Sequence, residues 1–226
     1  MNWLTGWLLP TSASVVGPRI DNLYNAVLWI TGIVFVLTEV TLVYFSVRYR
    51  RKEGQKALYS HGSTFAEIIW TTIPAVILVV LGVMSQNIWS EVRYPKNFPS
   101  NALVVKVHAE QWLWHFTFAG PDGVFGTADD LTVENNIHLP INQPVRFELE
   151  SQDVIHGFYV PALRIHLDVV PGMVGSLWSE PNAEGTYDIR CTQFCGTNHY
   201  QMKGTVTVES PDSFKAWVAG AKAEAF

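Results

Sequence analysis

The twelve residues from Cys191 to Met202 read CTQFCGTNHYQM and hold both cysteines of the chain, with a histidine and a methionine beside them. Thiolate, imidazole and thioether are all metal donors, so three chemistries compete for this loop. A disulfide between cysteines four apart closes a tiny ring and removes little unfolded-state entropy. It also leaves His199 and Met202 without a role. Zinc takes two thiolates and a histidine but rarely recruits methionine. Copper uses all four, because soft sulfur, imidazole and a long axial thioether are the donors of electron-transfer copper sites.

A mononuclear blue-copper site needs one thiolate with two histidines. Two thiolates four residues apart on one loop can instead bridge two copper ions, each with one terminal imidazole and one weak axial group. His199 and Met202 lie in the loop, so the second histidine must come from elsewhere, and seven histidines are available.

The elements that position this loop come from a chain that is 48% hydrophobic and only 15% charged, where a soluble domain carries about a quarter charged residues. Residues 23–47 contain one charged side chain, Glu39, and residues 68–88 contain none. Each run meets the requirement of about 20 apolar residues for crossing the hydrocarbon core. They predict a hairpin of two transmembrane helices over 23–90. Arg48, Arg50, Arg51, Lys52 and Lys56, opposed by Glu53 alone, put the connecting loop 48–61 on the cytoplasmic or matrix side. Both ends of the chain then face outward. Residues 1–22 form an outer-face segment that lacks the basic start of a secretory signal.

From residue 91 the pattern changes to short alternating stretches. Val145, Phe147 and Leu149 alternate with charged residues, as do Tyr187 and Ile189, while Val206 and Val208 alternate with threonines. Pro121-Asp-Gly, Pro140, Pro171-Gly and Pro181-Asn punctuate them, which predicts a β-sandwich or barrel over 91–210. Phe214, Trp217 and Val218 share one face of a short helix over 211–226, capped by Ser210 with proline at the first turn. Residues 91–226 carry 9 Lys plus Arg against 16 Asp plus Glu, a balance of −7. An acidic outer domain attracts a basic partner.

The loop resembles the binuclear copper (CuA) motif of cytochrome c oxidase subunit II, C-x3-C-x3-H-x2-M. The family's second histidine lies in a segment like Asp153-Val-Ile-His-Gly-Phe-Tyr-Val-Pro-Ala-Leu163, where His156 precedes Cys191 by 35 positions. The membrane hairpin, Gln111-Trp-Leu-Trp114 and Asp168-Val-Val-Pro-Gly172 extend the resemblance over nearly the whole chain. It implies a two-helix membrane hairpin joined to an all-β, cupredoxin-like Greek-key domain. Cys191 and Cys195 match the bridging thiolates, His156 and His199 the terminal imidazoles, and Met202 the axial thioether. The backbone carbonyl of Gln193 matches the other axial ligand. Trp112 matches the tryptophan where the electron from cytochrome c enters; as a bare residue it reads equally well as a core aromatic, on the same strand face as Trp114. Glu67, in Phe65-Ala-Glu-Ile-Ile-Trp-Thr-Thr-Ile-Pro74, matches a glutamate at the mouth of a proton-uptake path in subunit I.

Two positions depart from the pattern. The family's usual glutamate between the cysteines also holds magnesium against subunit I, and the neutral Gln193 is a poorer ligand for a hard dication. Its amide is expected to hydrogen-bond water or subunit I instead. Glu39 lies inside the first membrane helix, where ionisable residues are functional candidates by default, and the resemblance gives it no role. His61, His108, His115, His138 and His166 match no ligand position. Residues 120–130 lack the D-x-[DN]-x-[DN]-G spacing of a calcium loop and read as a Gly-rich hairpin connection.

The implied function is that of the electron-accepting subunit of a proton-pumping cytochrome c oxidase in a bacterial inner membrane, with the copper domain outside. Its implied partners are subunit I and other oxidase subunits, a c-type cytochrome and the bilayer, and no nucleic acid. The alternative is a copper-free structural subunit of a quinol oxidase, a class that loses the cysteines retained here.

Overall fold

The computed structural model describes residues 9–57 and 59–224. Residues 1–8, Leu58 and residues 225–226, which fall in the segment, loop and helix expected over 1–22, 48–61 and 211–226, lie outside the described residues. The chain divides into residues 21–87 and the remainder.

Two helices dominate the first unit, α1 (Gly17–Arg48) and α2 (Thr64–Arg93). Each contains a stretch long and apolar enough to cross a membrane, with mean hydropathy 2.2 and 2.3. Both helices run past their uncharged stretches. Backbone hydrogen bonding does not stop where lipid does, so Arg19, Asp21, Glu67, Glu91 and Arg93 remain helical. Ser63 starts α2, its hydroxyl accepting the Ala66 N–H at 3.3 Å.

The second unit is a β-sandwich. Its strands are β1 (Leu103–Glu110), β2 (Leu113–Phe118), β3 (Leu131–Glu134), β4 (Asn136–Pro140), β5 (Val145–Ser151), β6 (His156–Val160), β7 (Ile165–Val169), β8 (Gly175–Ser179), β9 (Gly185–Cys191) and β10 (Lys203–Glu209). They form two five-stranded sheets, ordered β3-β2-β1-β5-β8 and β4-β10-β9-β6-β7. β1 pairs with β5 and β4 with β10 in parallel, so the chain crosses between sheets as a Greek key does rather than meandering.

The alternation read from sequence becomes the core. Val145, Phe147 and Leu149 are fully buried, as are Ile189 and Val206, while Val208 is nearly so and Tyr187 is partly buried. Trp114, Phe116 and Phe158 meet edge to face between the sheets. The helix α3 (Pro211–Glu224) lays Phe214, Trp217 and Val218 on this core, with Trp217 stacked 4.5 Å from the His138 ring.

Residues 10–16 also join the β unit. Ala13, Ser14 and Val16 are buried. Ala13 N–H donates to Ala162 O at 2.7 Å, Asn182 N–H to Ala13 O at 2.9 Å, and the Ser14 hydroxyl to Leu163 O at 2.9 Å. At the same end of the molecule Arg19 pairs with Glu91 at 2.6 Å, and the Trp178 indole N–H donates to Glu91 O at 2.7 Å.

Candidate metal centre

Three strand ends build the site. His156 opens β6, Cys191 closes β9, and Met202 immediately precedes β10. β9 pairs with β6 through Phe158↔Cys191 and with β10 through Lys203↔Arg190, so the ladder itself brings these ends together. Residues 192–202 therefore form a long hairpin connection, closed at its mouth by Cys191 N–H donating to Met202 O at 3.2 Å. Thr192 N–H donates to Gly157 O at 3.0 Å. A side chain at position 157 would not fit there, because its Cβ would lie 2.2 Å from Thr192 Oγ1. A single 3-10 turn over His199–Gln201 brings His199 back toward the cysteines.

His156, Cys191 and Cys195 form a cluster able to hold a metal, their ligand atoms all within 4.8 Å of one another. The two sulfurs are 3.7 Å apart, far beyond the ~2.05 Å of a disulfide. Around them lie further donors. His156 Nδ1 is 4.0 Å from Cys191 Sγ and 3.1 Å from Met202 Sδ, which is 3.8 Å from Cys195 Sγ. His199 Nδ1 lies 3.5 Å from Cys195 Sγ, and Gln193 O lies 3.3 Å from Cys191 Sγ.

The site is electrostatically prepared for a cation. His156 is completely buried, and its Nε2 faces Asp153 Oδ1 at 2.9 Å. With that nitrogen engaged by a carboxylate, Nδ1 is the atom turned to the sulfurs. Burial raises the Asp153 carboxyl, but hydrogen bonds from His156, Val154 N–H and Gln111 N–H outweigh it and hold the group below its ordinary range. Burial disfavours charge on His156, yet Cys191 and Asp153 hold its imidazole above the usual value. Burial would likewise raise Cys191, but His156 and the backbone around Gly157 and Gln193 bring it down to about 6. Burial, and then the charge of Cys191, pushes Cys195 up to about 12. Cys191 is thus the more acidic of the two thiols, and a cation bound beside them would favour loss of the second proton. A donor set of soft sulfur and imidazole fits copper.

A model of the cytochrome c oxidase subunit II periplasmic domain matches residues 103–210, and a model of that subunit's transmembrane domain matches residues 2–88. An alternative cytochrome c oxidase subunit 2 of Bradyrhizobium diazoefficiens is 34% identical over 224 residues, covering 88% of this chain and 79% of the relative. The chain belongs to the cytochrome c oxidase subunit II family. A probable cytochrome c oxidase subunit 2 of Rickettsia bellii is 32% identical, with 96% and 84% of the two chains covered. The crystal structure of the periplasmic domain of subunit II of cytochrome oxidase of Bradyrhizobium japonicum superposes with a TM-score of 0.50. It is 25% identical and covers 56% of this chain and 97% of that one. This subunit II is accordingly a multi-pass membrane protein of a haem–copper oxidase complex, with its cupredoxin-like domain on the periplasmic side.

The remaining residues singled out in the sequence separate clearly in this subunit II. Trp112 and Trp114 do not share a strand face. The pairing Glu110↔Leu113 leaves Gln111 and Trp112 as the turn between β1 and β2, and only Trp114 is in the core. The half-buried Trp112 donates its indole N–H to Cys195 O at 3.2 Å, and Gln111 Nε2 donates to the same oxygen at 2.7 Å. Gly196, at φ +119°, permits this approach, since a Cβ there would meet Gln111 Nε2 at 2.7 Å. The Gln193 amide donates to Asp168 Oδ1 at 3.0 Å. Glu67 is exposed in the first turn of α2.

His108, His115, His138 and His166 contact Gln152, Glu110, Glu209 and Thr192 respectively, and none of the four belongs to the His156–Cys191–Cys195 cluster. Asp153, Gln111 and Asp168 carried no role in the sequence reading. The signal for Asp153 was its place three residues before His156; the other two are reached only through the fold.

Proposed function

We propose that this chain is the electron-accepting subunit of a cytochrome c oxidase, with a binuclear copper (CuA) centre at Cys191, Cys195, His156, His199, Met202 and the Gln193 carbonyl. The observation that carries this reading is a pair of sulfurs 3.7 Å apart, with His156 Nδ1, Met202 Sδ, His199 Nδ1 and Gln193 O each within 4.0 Å of one of them. Bound there, two coppers would supply one-electron transfer between a c-type cytochrome and a haem of subunit I.

The chain's own residues do the rest. Strand ends hold the donors before metal arrives, so little rearranges when charge changes. Asp153 keeps Nδ1 of His156 turned to the sulfurs. Trp112 receives the donor cytochrome, with its indole bonded directly to the backbone of Cys195. The acidic surface of the outer domain speeds encounter with a basic partner. Glu67, at the cytoplasmic start of α2, opens a proton path into subunit I. A copper-free quinol-oxidase role leaves the donor cluster and its second shell without a purpose.

The test is metal content with electron paramagnetic resonance on the full chain in detergent. Two coppers per chain and a signal shared over both are expected. One copper with the hyperfine pattern of an isolated cupric ion would refute the reading.

A further inference from the structure

Glu39 lies nine residues before Arg48 on α1, about 14 Å along the helix axis from the cytoplasmic end. That places its carboxyl well inside a hydrocarbon layer ~30 Å thick. A glutamate side chain is too short to reach the interface from there as lysine and arginine do. Acidic groups at such depth face protein or a water-filled cavity and pair with a partner. Among the described residues Glu39 makes no hydrogen bond or ion pair. Residues 31–48 of α1 are exposed throughout, and α2 carries no charged residue between 68 and 88.

The polar side chains around Glu39 follow a rule. Asn25, Gly32, Glu39 and Ser46 recur every seven residues. Seven residues return a helix to the same face with a drift of only ~20°, so these four form one continuous seam along the whole span. Two of the three threonines of α1, all off this seam, behave differently. The Thr31 hydroxyl donates to Val27 O and that of Thr38 to Val34 O, both at 2.8 Å, and so are satisfied within α1. A carboxyl group cannot be disposed of in that way.

We infer that the Asn25–Gly32–Glu39–Ser46 seam is the face by which α1 packs on a transmembrane helix of another subunit of the oxidase, with the Glu39 carboxyl hydrogen-bonded to a polar side chain of that helix. The seven-residue period selects a left-handed crossing near +20°, the common geometry in membrane bundles. Gly32 lets the partner backbone approach, and Glu39 fixes its depth one heptad further in. The opposite face, with Leu23, Ile30 and Leu37, is apolar and meets lipid. This inference depends on membership of a membrane complex and not on the copper reading.

The test uses the complete oxidase in its own membrane. A photoreactive phenylalanine analogue is placed at position 32 or 46 and, as controls, at 30 or 37. Crosslinks from 32 and 46 to a different subunit, with lipid adducts from 30 and 37, are expected. Glu39→Leu should lower retention of this chain in the detergent-purified complex about threefold, the equivalent of ~0.6 kcal/mol for one interhelical hydrogen bond. Glu39→Gln should retain it. Leucine favours membrane insertion, so loss in Glu39→Leu does not reflect failure to insert; copper content of the variant checks the outer domain separately. Equal retention of Glu39→Leu, crosslinks to a second copy of this chain, or crosslinks mainly from 30 and 37 would each overturn the inference.

Discussion

Asp153 and His156 are joined by a 2.9 Å contact between a carboxylate oxygen and Nε2, on the side of the imidazole away from the sulfurs. The same carboxylate accepts Gln111 N–H at 2.8 Å, next to Trp112. One side chain thus fixes both a metal donor and the turn that touches Cys195. Asp153→Asn removes the charge while keeping the shape. Copper affinity should fall about 10- to 100-fold, as for other second-shell partners of a ligating histidine. Competition titration with a chelator measures it, and wild-type affinity would show the contact to be incidental.

Met202 is only 2% exposed, so its role in packing must be separated from its role as a donor. Met202→Leu conserves volume and should cost less than about 1.5 kcal/mol in stability. It should keep copper bound while raising the reduction potential, because an axial thioether tunes the metal rather than holding it. A variant with unchanged potential and turnover would make Met202 packing alone.

Copper uptake should depend on pH with a defined sign. The metal takes its ligands deprotonated. Cys195, pushed up to about 12, still carries a proton at neutral pH, and uptake must release it. Cys191, at about 6, has already lost its own, but His156, held above its usual value beside it, contributes a further proton that copper must displace. As pH falls through about 6, Cys191 regains a proton that copper must also displace, so affinity drops by a further factor of ~10 per unit. Chelator competition from about pH 5 to pH 8, with proton release followed in parallel, checks both slopes.

The Gln193 amide and Asp168 carboxylate, 3.0 Å apart, satisfy each other without a cation. Gln193→Glu would set two carboxylates against one another, a pair that a hard dication relieves. Manganese or magnesium occupancy should rise, with copper content unchanged because the ligand at 193 is a backbone carbonyl. A stoichiometric, chelator-resistant manganese in the native oxidase would contradict this view of Gln193.

Glu67→Gln should slow oxidase turnover while copper content and cytochrome binding stay normal. Wild-type turnover in a correctly assembled variant would reduce Glu67 to an interfacial carboxylate that merely reaches water.

Much of this molecule could be read before any fold was known, and for physical reasons that are local. A membrane span is set by length and hydropathy, so residues 23–47 and 68–88 identify themselves. Cys191, Cys195, His199 and Met202 share one loop, and their donor chemistry depends on element and spacing. Strand alternation around Phe147 and Val206 follows from burial of one sheet face while the other meets solvent.

Relationships across the sheets were not legible, because they depend on register. Trp112 and Trp114 differ by two residues and looked equivalent until the Glu110↔Leu113 pairing put one in a turn and the other in the core. Residues 13–16 read as a segment outside the β domain, yet backbone hydrogen bonds to Ala162, Glu180 and Asn182 bury most of them against it. Gln193 meets Asp168 across 25 positions only because β6 pairs with both β7 and β9, which places the loop after Cys191 beside β7. Side-chain type and short spacing belong to the sequence; which donor faces which acceptor belongs to strand register, which tertiary packing alone decides.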